Sequence, residues 1–127
     1  MQTTLKLATL IDQKSGKHFS IETYASSLGR HTGNTVAFAN DALVSRQHAV
    51  ILFVNDKFFI QDLGSRNGTF LNGKRLEPFQ LMRLGTGDEI NLGFTKIVFI
   101  EEAIKDDSQD ITGKLEPEQL NDTKQVA

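Results

Sequence analysis

The chain contains no cysteine. That absence excludes disulfides, a thiol nucleophile and a cysteine-based zinc site, and it fits a cytoplasmic protein. Long apolar runs are missing too. None approaches the ~20 residues that a membrane-spanning helix needs, so no membrane partner is expected. Gln2-Thr3-Thr4 leads into alternating residues and not into the apolar core of a signal peptide. The three histidines, His18, His31 and His48, are scattered, and none stands at a ligand spacing from an acid or another histidine. No metal is therefore expected. The glycines around Ser65 are not followed by Lys-Ser/Thr and a helix, so they do not form a Walker A phosphate loop. Ser45, His48 and Asp62 are the only candidates for a hydrolase, but no G-x-S-x-G elbow surrounds Ser45, and a triad must be shown by geometry. The sequence reads as non-enzymatic, with no catalytic residue and no cofactor.

At 127 residues there is room for one domain with a substantial core, and nine phenylalanines help to fill it. The net charge of −2 hides an asymmetry. Residues 1–100 carry eleven Lys/Arg against eight Asp/Glu, whereas residues 101–127 carry three against eight. A mildly basic body with an acidic tail lacks the crowded basic face of a nucleic-acid binder, so no nucleic-acid partner is expected.

No window of about eleven residues within 1–100 shows clean helical periodicity, and β-type segments recur between turn signals. Thr4 to Ile11 alternates as a strand, and Lys17 to Ile21 forms a second, paired with it as a hairpin across the polar turn at Asp12–Gly16. Val36 and Phe38 alternate across a short strand. Ala49 to Val54 is apolar at every position and reads as a strand buried on both faces. Asn55-Asp56 turns into Phe58–Ile60, Gly85–Asp88 turns into Glu89–Leu92, and Lys96–Ile100 is the final strand. An all-β sandwich or barrel is implied. Glu101 to Ala127 is acidic and poor in apolar residues and reads as a tail or linker, with at most a helical turn near Glu118-Gln119-Leu120.

The densest signal is Asp62 to Gly73, D-L-G-S-R-N-G-T-F-L-N-G. Asn-Gly between strand-like residues is a strong hairpin signature, and it occurs here at Asn67-Gly68 and again at Asn72-Gly73. A loop this rich in backbone donors, with Arg66 at its tip, is suited to an anion; a plain hairpin with Arg66 in water is the alternative. The other loops supply more donors, so that Arg30, Ser45, Arg46, Arg66 and Asn67 form a set in which three of five are arginines. The planar fork of arginine matches phosphate oxygens. Asn67, with a donor and an acceptor, suits a peptide backbone beside a phosphate.

Gly29-Arg30, then Ser45-Arg46-Gln47-His48, then Asp62 to Thr69 with Asn72-Gly73, then Gly87-Asp88-Glu89-Ile90, resemble in order and spacing the successive motifs of the forkhead-associated (FHA) domain. The resemblance covers about Leu5 to Glu101. It implies an eleven-stranded β-sandwich of FHA/SMAD-like architecture, occupying residues 1–101, with residues 102–127 as a flexible, disordered acidic C-terminal tail or linker. It further implies that Arg30 and Ser45 contact phosphate, with Arg46 beside them, and that Asn67 and Arg66 contact the peptide. Gly29, His48, Gly68 and Thr69 are implied as structural support of the binding loops. The function implied is a phosphothreonine-peptide recognition module in Ser/Thr kinase signalling, with a Thr-phosphorylated protein or peptide as partner. A phosphate-independent assembly domain on the same sandwich is the other reading. Thr112 and Thr123 in the tail are candidate phosphorylation sites for a contact with the domain's own pocket.

Overall fold

Apolar residues at every second position place most of the strands, and the turn residues between them set where each strand stops. The computed structural model describes residues 7–102. Eleven strands run in order: β1 (Ala8–Asp12), β2 (His18–Ile21), β3 (Ala25–Gly29), β4 (Val36–Ala37), β5 (Ala49–Val54), β6 (Lys57–Asp62), β7 (Thr69–Leu71), β8 (Lys74–Arg75), β9 (Met82–Leu84), β10 (Glu89–Leu92) and β11 (Thr95–Glu101). They form two sheets, β2-β1-β11-β10-β7-β8 and β4-β3-β5-β6-β9, so the architecture is a sandwich and not a closed barrel. All neighbours are antiparallel except β3 and β4. The tail, with Thr112, Thr123 and the expected helical turn, lies outside the described residues, as do Thr4 to Lys6 at the start of the first expected strand.

The core is built from the inward positions of both sheets. Leu10, Ile97, Phe99, Ile90 and Leu92 of one sheet and Leu28, Ile51, Phe58, Ile60 and Leu84 of the other are almost completely buried. Phe58 and Phe99 meet edge to face, with centroids 5.0 Å apart. Burial of this kind contributes roughly 1.5–3 kcal/mol for each large side chain.

Two expectations need correction. In β5 only Ala49 and Ile51 are fully buried; Val50 and Leu52 are half-buried and Val54 is exposed. The outward register of that sheet joins Ala25, Leu52, Phe59 and Arg83 across four strands, and no second layer among the described residues covers it. The second correction concerns the paired Asn-Gly signals. Asn72 and Gly73 both have positive φ, 51° and 85°, which is the primed turn that joins β7 to β8. Asn67-Gly68 is no hairpin, because β6 and β7 belong to different sheets and the segment between them crosses the sandwich. Asn67 lacks the positive φ of a primed turn, and its side chain bonds to another loop instead. The Asn55-Asp56 turn does take primed geometry, with φ of 52° and 64°.

Register sorts the connections by end. The β1–β2 turn, the β3–β4, β4–β5 and β6–β7 loops and the β10–β11 turn gather at one end of the sandwich. The β5–β6, β7–β8 and β9–β10 turns lie at the other.

Candidate functional site

All five donors singled out in the sequence come together at the loop-rich end. Arg30 from β3–β4, Ser45 and Arg46 from β4–β5, and Arg66 and Asn67 from β6–β7 line one open pocket of about 480 Å³, with Leu43 on its wall. Three loops hold these side chains, and a network of hydrogen bonds to backbone groups holds the loops.

The β3–β4 and β4–β5 loops are stitched together first. The Arg30 amide donates to the Ser45 carbonyl (2.9 Å) and the His31 amide to the Arg46 carbonyl (3.3 Å). Arg30 Nε donates to the Val44 carbonyl at 2.9 Å. That bond fixes the guanidinium while its two terminal nitrogens stay clear of this contact. Asn34 Nδ2 adds bonds to the carbonyls of His31 and Arg46, at 2.8 and 2.7 Å. Gly29 sits where no side chain fits, since a Cβ would lie 2.1 Å from the Arg46 carbonyl oxygen.

The β6–β7 loop is then clasped to β4–β5. The Arg66 amide donates to Ser45 Oγ (3.0 Å), and Asn67 Nδ2 donates to the Leu43 carbonyl (2.9 Å). With Ser45 Oγ accepting from Arg66, its own proton remains free to donate into the pocket. Behind them His48 is fully buried. Its Nδ1 accepts from the Ser45 amide (3.0 Å), so Nε2 carries the proton and donates to the Gly68 carbonyl at 2.9 Å. Both ring nitrogens are thus committed to backbone.

Asp62 anchors the base of the same loop. Its Oδ1 accepts from the hydroxyls of Ser65 (2.5 Å) and Thr69 (2.7 Å), and its Oδ2 from the amides of Gly64 (3.0 Å) and Ser65 (3.1 Å). Ser65 Oγ accepts in turn from the Gly68 amide. Burial by itself would raise the carboxyl pKa, but the hydrogen bonds from Ser65, Thr69 and Gly64 outweigh it and hold the group below its ordinary 3.8. These contacts rule out the hydrolase arrangement. His48 reaches the amide of Ser45 and not its hydroxyl, and Asp62 is occupied within its own loop.

The pocket is strongly positive. It carries three arginines, and none of its lining residues is an acid. The ion pair among the described residues is elsewhere, Lys96 to Glu89 at 3.8 Å. A guanidinium fixed at Arg30, two more arginines beside it, a free hydroxyl proton and an amide side chain suit a doubly charged oxyanion attached to an extended chain. Sequence reasoning missed Asp41. Its carboxylate ties β4–β5 to the β10–β11 turn through the Leu43 amide (3.0 Å), the Phe94 amide (2.8 Å) and Thr95 Oγ1 (2.7 Å). It also missed Asn34 and Phe79, whose exposed ring lies against Gly64 with a positive φ of 66°. No local signal marks any of the three, because their partners lie far along the chain or arise from loop geometry.

Comparison with known proteins agrees with this architecture. The FHA domain family matches residues 26–93, which hold every donor in the pocket. The chain belongs to the FHA domain family. Within that family it is 36% identical over 86 residues to the glycogen accumulation regulator GarA of Mycobacterium tuberculosis, a match covering 68% of this chain and 51% of GarA. It is 35% identical over 86 residues to the oxoglutarate dehydrogenase inhibitor of Corynebacterium glutamicum, covering 68% of this chain and 57% of that protein. The matched segment therefore spans about half the length of these curated relatives. Among solved structures, Mycobacterium tuberculosis EmbR in complex with a low-affinity phosphopeptide superposes with a TM-score of 0.71 at 30% identity, covering 80% of this chain and 26% of EmbR. In this FHA domain, no helix among the described residues is long and apolar enough to cross a membrane.

Proposed function

We propose that this FHA domain is a non-enzymatic module that recognises phosphothreonine in a partner protein, acting in the cytoplasm in Ser/Thr kinase signalling. The observation that carries the reading is the joint placement of Arg30, Ser45 and Asn67 on one pocket, each fixed by a bond to a neighbouring loop. Arg30 and the Ser45 hydroxyl bind phosphate, with Arg46 adding a charge at the rim, while Asn67 and Arg66 contact the peptide chain. Gly29, His48, Gly68 and Thr69 support the loops. The solved phosphopeptide complex of EmbR supports the ligand class.

A phosphothreonine carries about −1.5 to −2 charges near neutral pH. Charge-assisted hydrogen bonds contribute roughly 1.5–3 kcal/mol each, so the phosphate separates the modified from the unmodified peptide by more than tenfold. The test is titration with one phosphothreonine peptide and its unphosphorylated twin, against the native domain and against Arg30→Ala and Ser45→Ala. Binding of the phosphopeptide alone, lost in both variants while their melting curves stay native-like, supports the assignment. Retained affinity in both variants rejects it.

The uncovered outer face of the second sheet, where Val50, Leu52 and Phe59 stand among Lys57, Gln61 and Arg83, favours a second reading, a phosphate-independent assembly domain. That reading predicts partner capture that survives Arg30→Ala. The domain's own tail, phosphorylated at Thr112 or Thr123, is a further proposed ligand. Kinase-treated protein would then bind external phosphopeptide more weakly than untreated protein, and equal binding would reject self-inhibition.

A further inference from the structure

A second pocket, of about 430 Å³, lies at the same end of the sandwich, between the β1–β2 turn, the β10–β11 turn and the first half of the β4–β5 loop. Its floor is aromatic. Phe38 is buried and Phe19 half-buried, with their rings edge to face and centroids 5.8 Å apart. Phe94, at the tip of the β10–β11 turn, is 79% exposed, the highest value among the large apolar side chains described. Lys14 and Lys17 stand on the rim, with the Lys17 ammonium 5.3 Å from the centre of the Phe19 ring. Neither lysine takes part in an ion pair among the described residues. The two carboxylates at this pocket are already engaged. Asp41 accepts from Leu43, Phe94 and Thr95. Asp12 Oδ1 accepts from the amides of Lys14 and Ser15 at 2.9 and 3.3 Å. The surface thus offers an apolar seat beneath two lysines, one resting on the Phe19 ring and neither in an ion pair among the described residues.

This pocket and the phosphate pocket are lined by successive stretches of the same β4–β5 loop. Asp41 lines the one and Ala42, the next residue, lines the other. From Asp41 to Ser45 the chain spans at most about 14 Å, a distance an extended peptide covers in about four residues. We propose that this second pocket is a flanking subsite for the same phosphopeptide. It takes a large aromatic or aliphatic side chain, accompanied by an acidic residue, about four to six residues from the phosphothreonine. The apolar side chain packs against Phe94 over the Phe19–Phe38 floor, and the acid pairs with Lys14 or Lys17. The proposal rests on the phosphothreonine reading above.

The test uses three peptides. One is a short alanine–glycine core with a central phosphothreonine. The others carry Asp-Phe-Asp about four to six residues before or after it. They are titrated by fluorescence anisotropy against the native domain, Phe94→Ser, and the double variant Lys14→Ser, Lys17→Ser. One extended peptide is expected to bind the native domain at least about fivefold more tightly than the core. That gain should vanish in Phe94→Ser, shrink in the lysine variant, and weaken as salt rises in the native domain. The core peptide should bind all three proteins equally. Equal affinities for core and extended peptides, or a gain that survives both variants, overturns the subsite while leaving phosphothreonine recognition intact. Failure of the core and of both extended peptides to bind the native domain overturns both.

Discussion

Replacing Asp62 by asparagine tests whether one buried carboxylate holds the β6–β7 loop in place. The side chain keeps its shape but loses its charge and half of its acceptor capacity. Oδ2 receives two backbone amides, from Gly64 and Ser65, which can only donate. The asparagine amide nitrogen must therefore turn toward the hydroxyls of Ser65 and Thr69, and these must reverse their protons to accept from it. Ser65 Oγ, which already accepts from the Gly68 amide, would spend its second lone pair on the new donor, and the hydroxyl protons of Ser65 and Thr69 would lose the acceptor they have now. Hydrogen bonds to charged groups contribute about 1.5–3 kcal/mol each, and these four are partly retained; we expect a loss of about 2 kcal/mol. For a domain of about 100 residues that lowers Tm by about 10 °C at neutral pH. The sign of the pH dependence follows from linkage. The folded-state pKa lies below 3.8, so the stabilisation is fully present above the unfolded value and is lost as pH falls through the folded one. The difference in Tm between native and Asp62→Asn proteins should therefore hold steady above about pH 5 and narrow below about pH 4. Thermal melts followed by circular dichroism across this range provide the measurement. A gap that is absent at neutral pH, or that keeps its full size in acid, would refute the anchoring role.

Gly29→Ala should leave strand β3 formed but push the Arg46 carbonyl away by about an ångström, since the new Cβ would lie 2.1 Å from it. Phosphopeptide affinity should fall tenfold or more, and an unchanged Kd would show that the loop adapts freely. Asp41→Ala removes the acceptor of two amides and one hydroxyl, for an expected loss of about 2–3 kcal/mol. Hydrogen exchange at the Leu43 and Phe94 amides should accelerate ahead of the core strands. Asp56 holds a φ of 64° in the β5–β6 turn, where glycine is preferred, so Asp56→Gly should stabilise the domain by about 0.5 kcal/mol. A denaturant midpoint that moves downward would contradict this.

Local sequence carried a good part of this structure. The strands β2 and β11, the pairing of β1 with β2 and the Asn72-Gly73 turn are decided within a few residues, and the sequence expectation matched them. Asn67-Gly68 has the same local signature and a different outcome, because the strands on either side belong to different sheets. The side chain of Asn67 answers to Leu43, 24 residues away, and not to its neighbours. Val50, Leu52 and Val54 show the matching limit for burial. Apolar identity makes both faces of a strand able to be buried, but a second layer is required to do it, and pairing alone does not supply one. At the site, Arg30, Ser45 and Asn67 were legible as donors on loops, whereas the brace through Asp41 was not, since its partners lie 53 and 54 residues further on.

The clasp between the loops is made mostly through main-chain atoms. Leu43, Val44 and Arg46 contribute carbonyls, and Arg66 contributes its amide. The frame is therefore largely indifferent to the side chains at Leu43, Arg46 and Arg66, which line the pocket without holding it together. On the proposed assignment of Arg30, Ser45 and Arg46 to the phosphate, capture and peptide choice become separable traits. A few substitutions at Leu43 and Arg66 would then redirect the module to a new sequence without disturbing that capture, a division of labour that both natural drift and deliberate engineering can exploit.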